Sequence, residues 1–381
     1  DPGHGALRRC GNYNPRAACA TLQAMRFIAF PALGIGLALA AAAADFTPAP
    51  QRFHQEIARR WTSQDRAPTG SVRLIETTSD GVVRVFVGGQ WHEFRAGQWM
   101  ELAALRPSAD SQFVFADGAG RAVRVPVPWR EVRQIARFKT NNFLATVRAL
   151  YATVEGKVEA LDWPTERRVH QIAVSSNGVL HVASDRGLFL RSGKSWIRRL
   201  IPDGRGRAWA AADVLGVAFD AAGQLWFACK AGVGVHSSDR TRFYEGKDGL
   251  PWNDFTGITA GPEGEVWFGT RLGAIRFDGR QWHYRQGPRW LPHDEVTQIA
   301  VDAQGTAWFA TAAGVGGIER RPMTLAEKAE HYEQEIERYL KRTPFGYVAE
   351  APLGRAGDKS TAQPHDTDND GLWTAMYGAG E

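Results

Sequence analysis

The sequence is poor in cysteine and methionine, and it lacks the short motifs that mark common catalytic sites. Only three cysteines and four methionines occur in 381 residues, and Cys229 is the one cysteine beyond residue 44. A single cysteine cannot form an internal disulfide, so we expect Cys229 to be a buried small apolar residue. No Gly-x-Ser-x-Gly, His-Glu-x-x-His or phosphate-binding glycine loop is present, and the histidines lack metal-site spacing. We therefore expect no cofactor.

A large excess of positive charge is also absent from most of the chain. The formal net charge is +5, from 46 basic and 41 acidic side chains. Residues 1–44 hold four arginines and one aspartate, and removing them leaves 42 basic against 40 acidic side chains. So small a surplus does not indicate a nucleic-acid partner.

One long apolar run lies near the start of the chain. From Met25 the sequence reads MRFIAFPALGIGLALAAAAADF, with one arginine, an apolar stretch and a small-residue end. This layout predicts a signal peptide over 25–44 and a periplasmic or secreted protein, with no stable membrane span after cleavage. The alternative is a membrane anchor, because residues 27–44 are 18 consecutive uncharged positions. We interpret residues 1–24 as a non-native leader.

Tryptophan and glycine are abundant, with 14 and 41 residues, and they recur at a fixed interval. The aligned positions are Gly178, Gly223, Gly264 and Gly305, with steps of 45, 41 and 41, and Trp226, Trp267 and Trp308. A period of this size is typical of a four-stranded propeller blade, in which glycines form tight turns and large side chains fill the space between blades. His181 stands at the repeated tryptophan position, and we expect it to be structural.

The repeats predict an all-β fold, a β-propeller of six or seven four-stranded blades over 45–322, with the clear repeats in 165–320. A weaker repeat runs from Leu150 to Trp163, and two more diverged ones surround Gly81 with Trp91 and Gly120 with Val123. The alternative is a β-sandwich or unrelated strands before a partial propeller.

The segment DGLPWNDFTGITAGPEGEVWFGTRLGAIRFDGRQWHYR resembles the two-component regulator propeller repeat family. The resemblance covers residues 165–320 and implies a bacterial β-propeller. In that family the repeat often forms the sensor half of membrane kinases, but many members are secreted proteins with other partners. The resemblance therefore implies an architecture more than a signalling role.

After the repeats, TLAEKAEHYEQEIERYLKR predicts a helix over 323–343, with Thr324 and Glu327 at the spacing of a capping box. Residues 344–381 are expected to be a linker and the start of a helical domain. The run DNDGLWTAMYGAGE resembles the first helix of an α/α-toroid domain of glycoside hydrolases and polysaccharide lyases. Because such a helix should continue past Glu381, we expect a truncated reading frame.

Three aspartates in this tail imitate the start of a calcium loop. Asp366, Asp368 and Asp370 have the required spacing, but Tyr377 stands at the twelfth position, where a bidentate glutamate is needed. We expect these residues to form a polar turn that caps the next helix rather than a metal site.

A ligand site is predicted on one face of the propeller, where the loops into the inner strands meet the turns between second and third strands. The predicted ligand-binding residues are Arg168, Arg186, Lys230, Trp252, Asn253, Asp254, Arg271, Trp290, His293 and Asp294. Tryptophan can stack on a sugar ring, and arginine and lysine can pair with acidic substituents. The alternative is that Trp252 and Trp290 pack between blades and the charges only solvate loops. His293 and Asp294 are the one candidate acid/base pair.

The sequence leaves three functions open. The first is an exported module that binds a saccharide, or another small ligand, and is attached to a C-terminal helical domain. The second is a polysaccharide lyase or glycosidase with its catalytic domain mostly beyond residue 381. The third is a sensor or scaffold with a protein partner.

Overall fold

The computed structural model describes most of the chain after residue 50. The described ranges are 51–61, 66–78, 80–109, 111–154, 156–202, 206–207, 212–238, 240–337, 346–355 and 358–380. The predicted leader, the predicted signal peptide and residues 338–345 lie outside the described residues.

The described residues form 26 strands, most of them in four-stranded sheets. The first strand is β1 (Phe53–Trp61). Blade 1 contains β2 (Val72–Thr77), β3 (Val83–Val87), β4 (Gln90–Arg95) and β5 (Gln98–Glu101). A hairpin of β6 (Phe113–Ala116) and β7 (Ala122–Val125) follows. Blade 2 contains β8 (Val132–Phe138), β9 (Asn141–Thr146), β10 (Leu150–Val154) and β11 (Lys157–Leu161).

The clear sequence repeats form the remaining blades. Blade 3 contains β12 (Val169–Val174), β13 (Leu180–Ser184), β14 (Gly187–Ser192) and β15 (Ser195–Arg199). Blade 4 contains β16 (Val214–Phe219), β17 (Leu225–Cys229), β18 (Gly232–His236) and β19 (Thr241–Tyr244). Blade 5 contains β20 (Phe255–Ala260), β21 (Val266–Thr270), β22 (Gly273–Phe277) and β23 (Trp282–Arg285). Blade 6 contains β24 (Val296–Val301), β25 (Ala307–Thr311), β26 (Gly314–Met323) and, as its fourth strand, β1.

These sheets form a six-bladed β-propeller, which confirms the predicted fold class. The first strand of each blade contacts the first strand of the next, all the way around the ring. The diverged repeat at Gly120 is not a blade, because its turn joins only β6 to β7. Phe113 and Phe115 of this hairpin pack with Phe86 of blade 1 and Leu144 of blade 2, so the hairpin fills the space between those blades.

The repeated tryptophans lie between blades, as their period predicts. Trp267 is fully buried and contacts Phe309 of blade 6 edge-on at 5.4 Å. Trp226 of blade 4 packs against Phe268 and Phe277 of blade 5. Burying one such ring contributes roughly 2–3 kcal/mol, so the contacts between blades are a main source of stability.

Every inner strand carries a β-bulge at its second residue, and polar side chains near the bulge connect the blades. Gln171 accepts hydrogen bonds from the backbone N–H groups of Val217 and Ile258, at 3.1 and 2.9 Å. Its amide donates to the Ile258 carbonyl at 2.7 Å, so one side chain joins blade 3 to blades 4 and 5. Gly216 makes room for this crossing, because a Cβ there would lie 2.7 Å from Ile258 Cγ1.

The ring closes through β1, which pairs antiparallel with β26 from Phe53 with Met323 to Trp61 with Val315. Glu56 of β1 lies 2.7 Å from Arg276 Nε and also bonds the guanidinium of Arg285, both in blade 5. The Glu56 and Arg276 side chains are only 7% and 8% exposed. The ion pairs therefore join the closing strand to the neighbouring blade inside the protein.

Among the described residues, two α-helices follow the propeller, α1 (Leu325–Glu335) and α2 (Asp370–Gly380). The predicted capping box is confirmed, since Thr324 Oγ1 accepts from Glu327 N–H and the Glu327 carboxylate accepts from Thr324 N–H. The Tyr377 hydroxyl of α2 donates to the Glu333 carboxylate of α1. No helix among the described residues is both long and apolar enough to cross a membrane.

We predict that Glu56→Gln destabilises the propeller by about 3 kcal/mol, because it leaves two largely buried guanidinium groups without their carboxylate. Chemical denaturation would measure the change in the free energy of unfolding. Glu319→Gln is the matched control, because Glu319 lies on the paired strand β26 but its ion pair with Arg321 is 29–36% exposed. The control should lose less than about 1 kcal/mol. Equal losses would show that Glu56 does not secure the ring.

Candidate functional site

All ten predicted ligand residues lie on one face of the propeller, which we call the upper face. It comprises the loops before the inner strands and the turns between the second and third strands of each blade. Arg168 precedes β12, Arg186 lies in the β13–β14 turn, and Lys230 lies in the β17–β18 turn. Residues 252–254 precede β20, Arg271 lies in the β21–β22 turn, and residues 290–294 precede β24.

A histidine and an aspartate from neighbouring blades form the centre of this face. His170 Nε2 lies 3.1 Å from Asp213 Oδ1, and Lys230 Nζ lies 3.7 Å from Asp213 Oδ2. Asp213 has a left-handed backbone, with φ of 43°, which is uncommon for a residue other than glycine. Burial lowers the pKa of His170 below its usual range, and the Asp213 carboxylate partly opposes that shift. His170 is therefore neutral at pH 7 and able to accept a proton.

Backbone hydrogen bonds hold the surrounding loops together. The Arg168 N–H donates to Asp185 Oδ1 at 2.9 Å, and the Asp213 N–H donates to the Asp185 carbonyl at 3.3 Å. Asn253 Nδ2 donates to the Lys230 carbonyl at 2.6 Å. These contacts connect the loops of blades 3, 4 and 5 into one surface.

Arg271 and Trp252 extend this surface along blade 5. Arg271 Nη1 lies 2.7 Å from Asp254 Oδ1, and its side chain is 62% exposed. Trp252 is 40% exposed, so its ring is available to a ligand rather than packed between blades. An exposed indole suits stacking on a sugar ring.

The predicted group at residues 290–294 has a different environment. Trp290 packs against the core between blades 5 and 6, and the Arg285 guanidinium lies 4.6 Å from its ring centre. Asp294 Oδ1 accepts from the Gly287 N–H at 2.7 Å, and His293 Nδ1 accepts from the Glu295 N–H at 3.0 Å. His293 and Asp294 thus each bond the backbone of their own loop.

Other arginines on the upper face were not among the predicted residues, including Arg73, Arg130 and Arg133. Arg73 and Arg133 are the bulge residues of β2 and β8, at the position that His170 occupies in β12. Arg73 Nη1 donates to the Arg130 carbonyl at 2.6 Å. Burial and then the charges of Arg133 and Arg130 lower the pKa of Arg73. The matching strand starts VRLIET, VRQIAR, VHQIAV and VTQIAV could have revealed this equivalence from sequence.

A cleft of about 610 Å³ opens on the upper face at blade 3. Its lining consists of Glu166, Arg167, Asp185, Arg186, Phe189, Trp196, Arg198 and Ala212. The Arg167 guanidinium lies 4.6 Å from the Phe189 ring centre, and Trp196 Nε1 donates to the Asp162 carbonyl at 2.7 Å. Arginine and aromatic side chains thus line the same cleft, which is large enough for a sugar.

The three tail aspartates do not form a metal site in the described part of the chain, where no group of three or more metal-binding side chains occurs. Asp370 is the first residue of α2, and its carboxylate accepts from the N–H and hydroxyl of Thr367, at 3.1 and 2.9 Å. Cys229 is buried, as predicted, and burial raises the pKa of its thiol.

Comparison with solved structures supports the propeller fold. A streptogramin B lyase is 15% identical with a TM-score of 0.53, covering 71% of this chain and 98% of that one. Virginiamycin B lyase from Staphylococcus aureus is 14% identical with a TM-score of 0.53, covering 70% of this chain and 99% of that one. The extracellular domain of a putative hybrid two-component system from B. thetaiotaomicron is 12% identical with a TM-score of 0.53, covering 71% of this chain and 40% of that one.

Identities this low establish the fold alone. No protein-family model matches the chain, and no curated protein matches it. The chain is thus a β-propeller module that resembles, in fold, an extracellular domain of a two-component system.

We predict that Asp213→Asn lowers the pKa of His170 further, because it removes the negative charge that favours the imidazolium. A pH titration of the histidine ring signals by NMR would measure the shift. Asp254→Asn is the matched control, since Asp254 pairs with Arg271 and leaves His170 unaffected. An unchanged or raised pKa in Asp213→Asn would contradict the pairing of His170 with Asp213.

Proposed function

We propose that this chain is an exported ligand-binding propeller that recognises an acidic saccharide on its upper face and is attached to a C-terminal helical domain. The observation that carries the proposal is a group of upper-face guanidinium groups without carboxylate partners. Among the described residues, Arg133, Arg168 and Arg186 form no ion pair within 4.0 Å. A carboxylate or sulfate substituent on a sugar would supply the missing partner through charge-assisted hydrogen bonds.

Aromatic side chains support the saccharide part of the proposal. The exposed ring of Trp252 lies on the same face as the arginines, and Phe189 and Trp196 line the cleft at blade 3. Sugars combine apolar ring faces with polar edges, so sites for them pair aromatic surfaces with a few polar groups.

Two observations support export. The run from Met25 to Ala44 has the layout of a signal peptide. A structural neighbour is an extracellular domain of a two-component system.

We predict that Arg168→Ala combined with Arg186→Ala weakens binding of a uronic-acid oligosaccharide at least about tenfold, because two guanidinium groups without carboxylate partners are lost. Isothermal titration calorimetry would measure the dissociation constant, and a neutral oligosaccharide of the same length should bind weakly to both proteins. Arg240→Ala combined with Arg280→Ala is the matched control, because it removes two arginines from turns on the opposite face.

Unchanged affinity in the upper-face double variant would overturn the acidic-saccharide proposal. Equal binding of the neutral oligosaccharide would retain a saccharide site but exclude recognition of the acidic group. Binding to a protein partner without any response to glycans would instead favour a scaffold.

A second candidate function is cleavage of the same class of ligand, and the pairing of His170 with Asp213 favours it. A neutral histidine beside a carboxylate is suited to act as a general base. In a lyase reaction it would accept the proton next to the uronate carboxyl group. A carbon–carbon double bond would form as the glycosidic bond breaks, and the leaving oxygen would take a proton from water.

We predict, for this second function, that the protein releases unsaturated oligosaccharides from an acidic polysaccharide and that His170→Ala abolishes the release. Chromatography of the products would measure it. His283→Ala is the control, because His283 lies on β23 and bonds Asp278 away from the upper face. Binding without product would leave the chain a binding module and exclude this function for the upper face.

A further inference from the structure

Blade 3 departs from blades 4 and 6 on the face opposite the upper face, which we call the lower face. It comprises the turns between first and second strands and between third and fourth strands. In blades 4 and 6 an aspartate in the first of these turns accepts from the repeated tryptophan: Trp226 Nε1 to Asp220 and Trp308 Nε1 to Asp302, both at 2.8 Å. In blade 3 the same two positions hold Ser175 and His181.

Both replacements remove volume, and the aspartate replacement also removes a negative charge. A cleft of about 400 Å³ lies there, between blades 3 and 4. Its lining consists of Ser175, Asn177, Val179, His181, Leu190, Arg199, Phe219, Gly223, Leu225, His236, Ser237 and Ser238. This lining contains a guanidinium group, two imidazoles, three hydroxyls and an amide, and it includes no carboxylate among the described residues.

The Arg199 side chain has no ion pair or hydrogen bond with any other described residue, and it is close enough to His181 and His236 for its charge to act on both rings. His181 Nδ1 lies 3.1 Å from the Val179 carbonyl, so this nitrogen carries a hydrogen. His236 Nδ1 lies 2.8 Å from Thr241 Oγ1. These contacts engage Nδ1 of both rings, so that after each ring takes up a proton from solvent its Nε2 can donate a hydrogen bond to a ligand.

The Asp220 carboxylate, in the turn between β16 and β17 of blade 4, does not neutralise this site. The Asp220 carboxylate is engaged by Trp226 Nε1 and by the backbone and side chain of Gln224, at 2.8–3.1 Å, and it is not part of the cleft lining. Among the described residues, the charged and titratable groups in the cleft lining are therefore Arg199, His181 and His236.

We propose that the lower-face cleft is a binding site for a tetrahedral oxyanion, a phosphate or sulfate group, held between Arg199 and the two imidazoles. Arginine presents a planar set of donors that matches such a group. The site is separate from the upper face and does not depend on saccharide binding there.

Proton linkage gives the site a pH dependence. Burial and then the Arg199 charge lower the pKa of both His181 and His236, so both rings are neutral at pH 7. A bound oxyanion favours the imidazolium form and raises both values. Affinity for the anion should therefore increase as the pH falls below the usual histidine range.

The test titrates the whole chain with sodium sulfate, whose charge is constant across this range, at about pH 5.5 and about pH 7.5. Sodium chloride at matched ionic strength is the control. Acetate tests whether a planar carboxylate binds as well, and inorganic phosphate tests the other tetrahedral oxyanion. NMR of the histidine ring signals would report the site. We expect His181 and His236 to shift with sulfate but not with chloride, and the dissociation constant to fall at the lower pH.

Two variants locate the site. Arg199→Gln should weaken sulfate binding at least about tenfold. Ser175→Asp combined with His181→Trp restores the pair found in blades 4 and 6, fills the cleft and should abolish binding without loss of fold. Arg280→Gln is the matched control and should leave sulfate binding unchanged, because Arg280 lies in the turn between β22 and β23, outside both the cleft lining and the upper face.

The outcomes are decisive in each direction. Sulfate-dependent shifts that disappear in both lower-face variants, with the control unchanged, would establish the site. Shifts that chloride reproduces, or that persist in both variants, would overturn it. Stronger binding of acetate than of sulfate would also overturn it, because it would identify a carboxylate site.

Discussion

The structure depends on the pairing of its first strand with its last. β1 supplies the outer strand of blade 6, and Glu56 extends that contact into blade 5 through Arg276 and Arg285. Without this closure, blades 1 and 6 would expose the apolar faces that Trp61 and Trp308 cover by stacking at 4.5 Å. The upper-face loops come from residues far apart in sequence, and only a closed ring brings them onto one surface.

The fold was largely predictable because its main determinants are local and periodic. Trp226, Trp267 and Trp308, with the glycine turns before them, identify four-stranded blades from a single chain. The number of blades was not predictable, because the hairpin around Gly120 has the turn and strands of a repeat but lacks the partners of one. Glu56 carries no signal at all, since a glutamate in a strand is ordinary until its buried partners are known.

The candidate site was predictable as a set of loops but not as a set of contacts. Lys230, Asn253 and Arg271 were identified from their positions in the repeat, whereas the pairing of His170 with Asp213 joins blades through a left-handed residue that no local pattern indicates. Arg73 and Arg133 were missed because the first repeats have diverged around them. Conversely, Trp252 and Trp290 both lie in a loop before an inner strand, so the sequence does not distinguish them. Only burial in the structure separates the packed ring of Trp290 from the exposed ring of Trp252.

The bulge in every inner strand allows the side chains of the upper face to vary. At this position Arg73, His170, Thr256 and Thr297 each bond the backbone or side chain at the start of the next blade. The side chain can vary among arginine, histidine, threonine and leucine while the strand pairing stays the same. The six bulge positions at the mouth of the ring can thus change independently of the strand pairing. Single substitutions there can alter ligand preference without changing the scaffold.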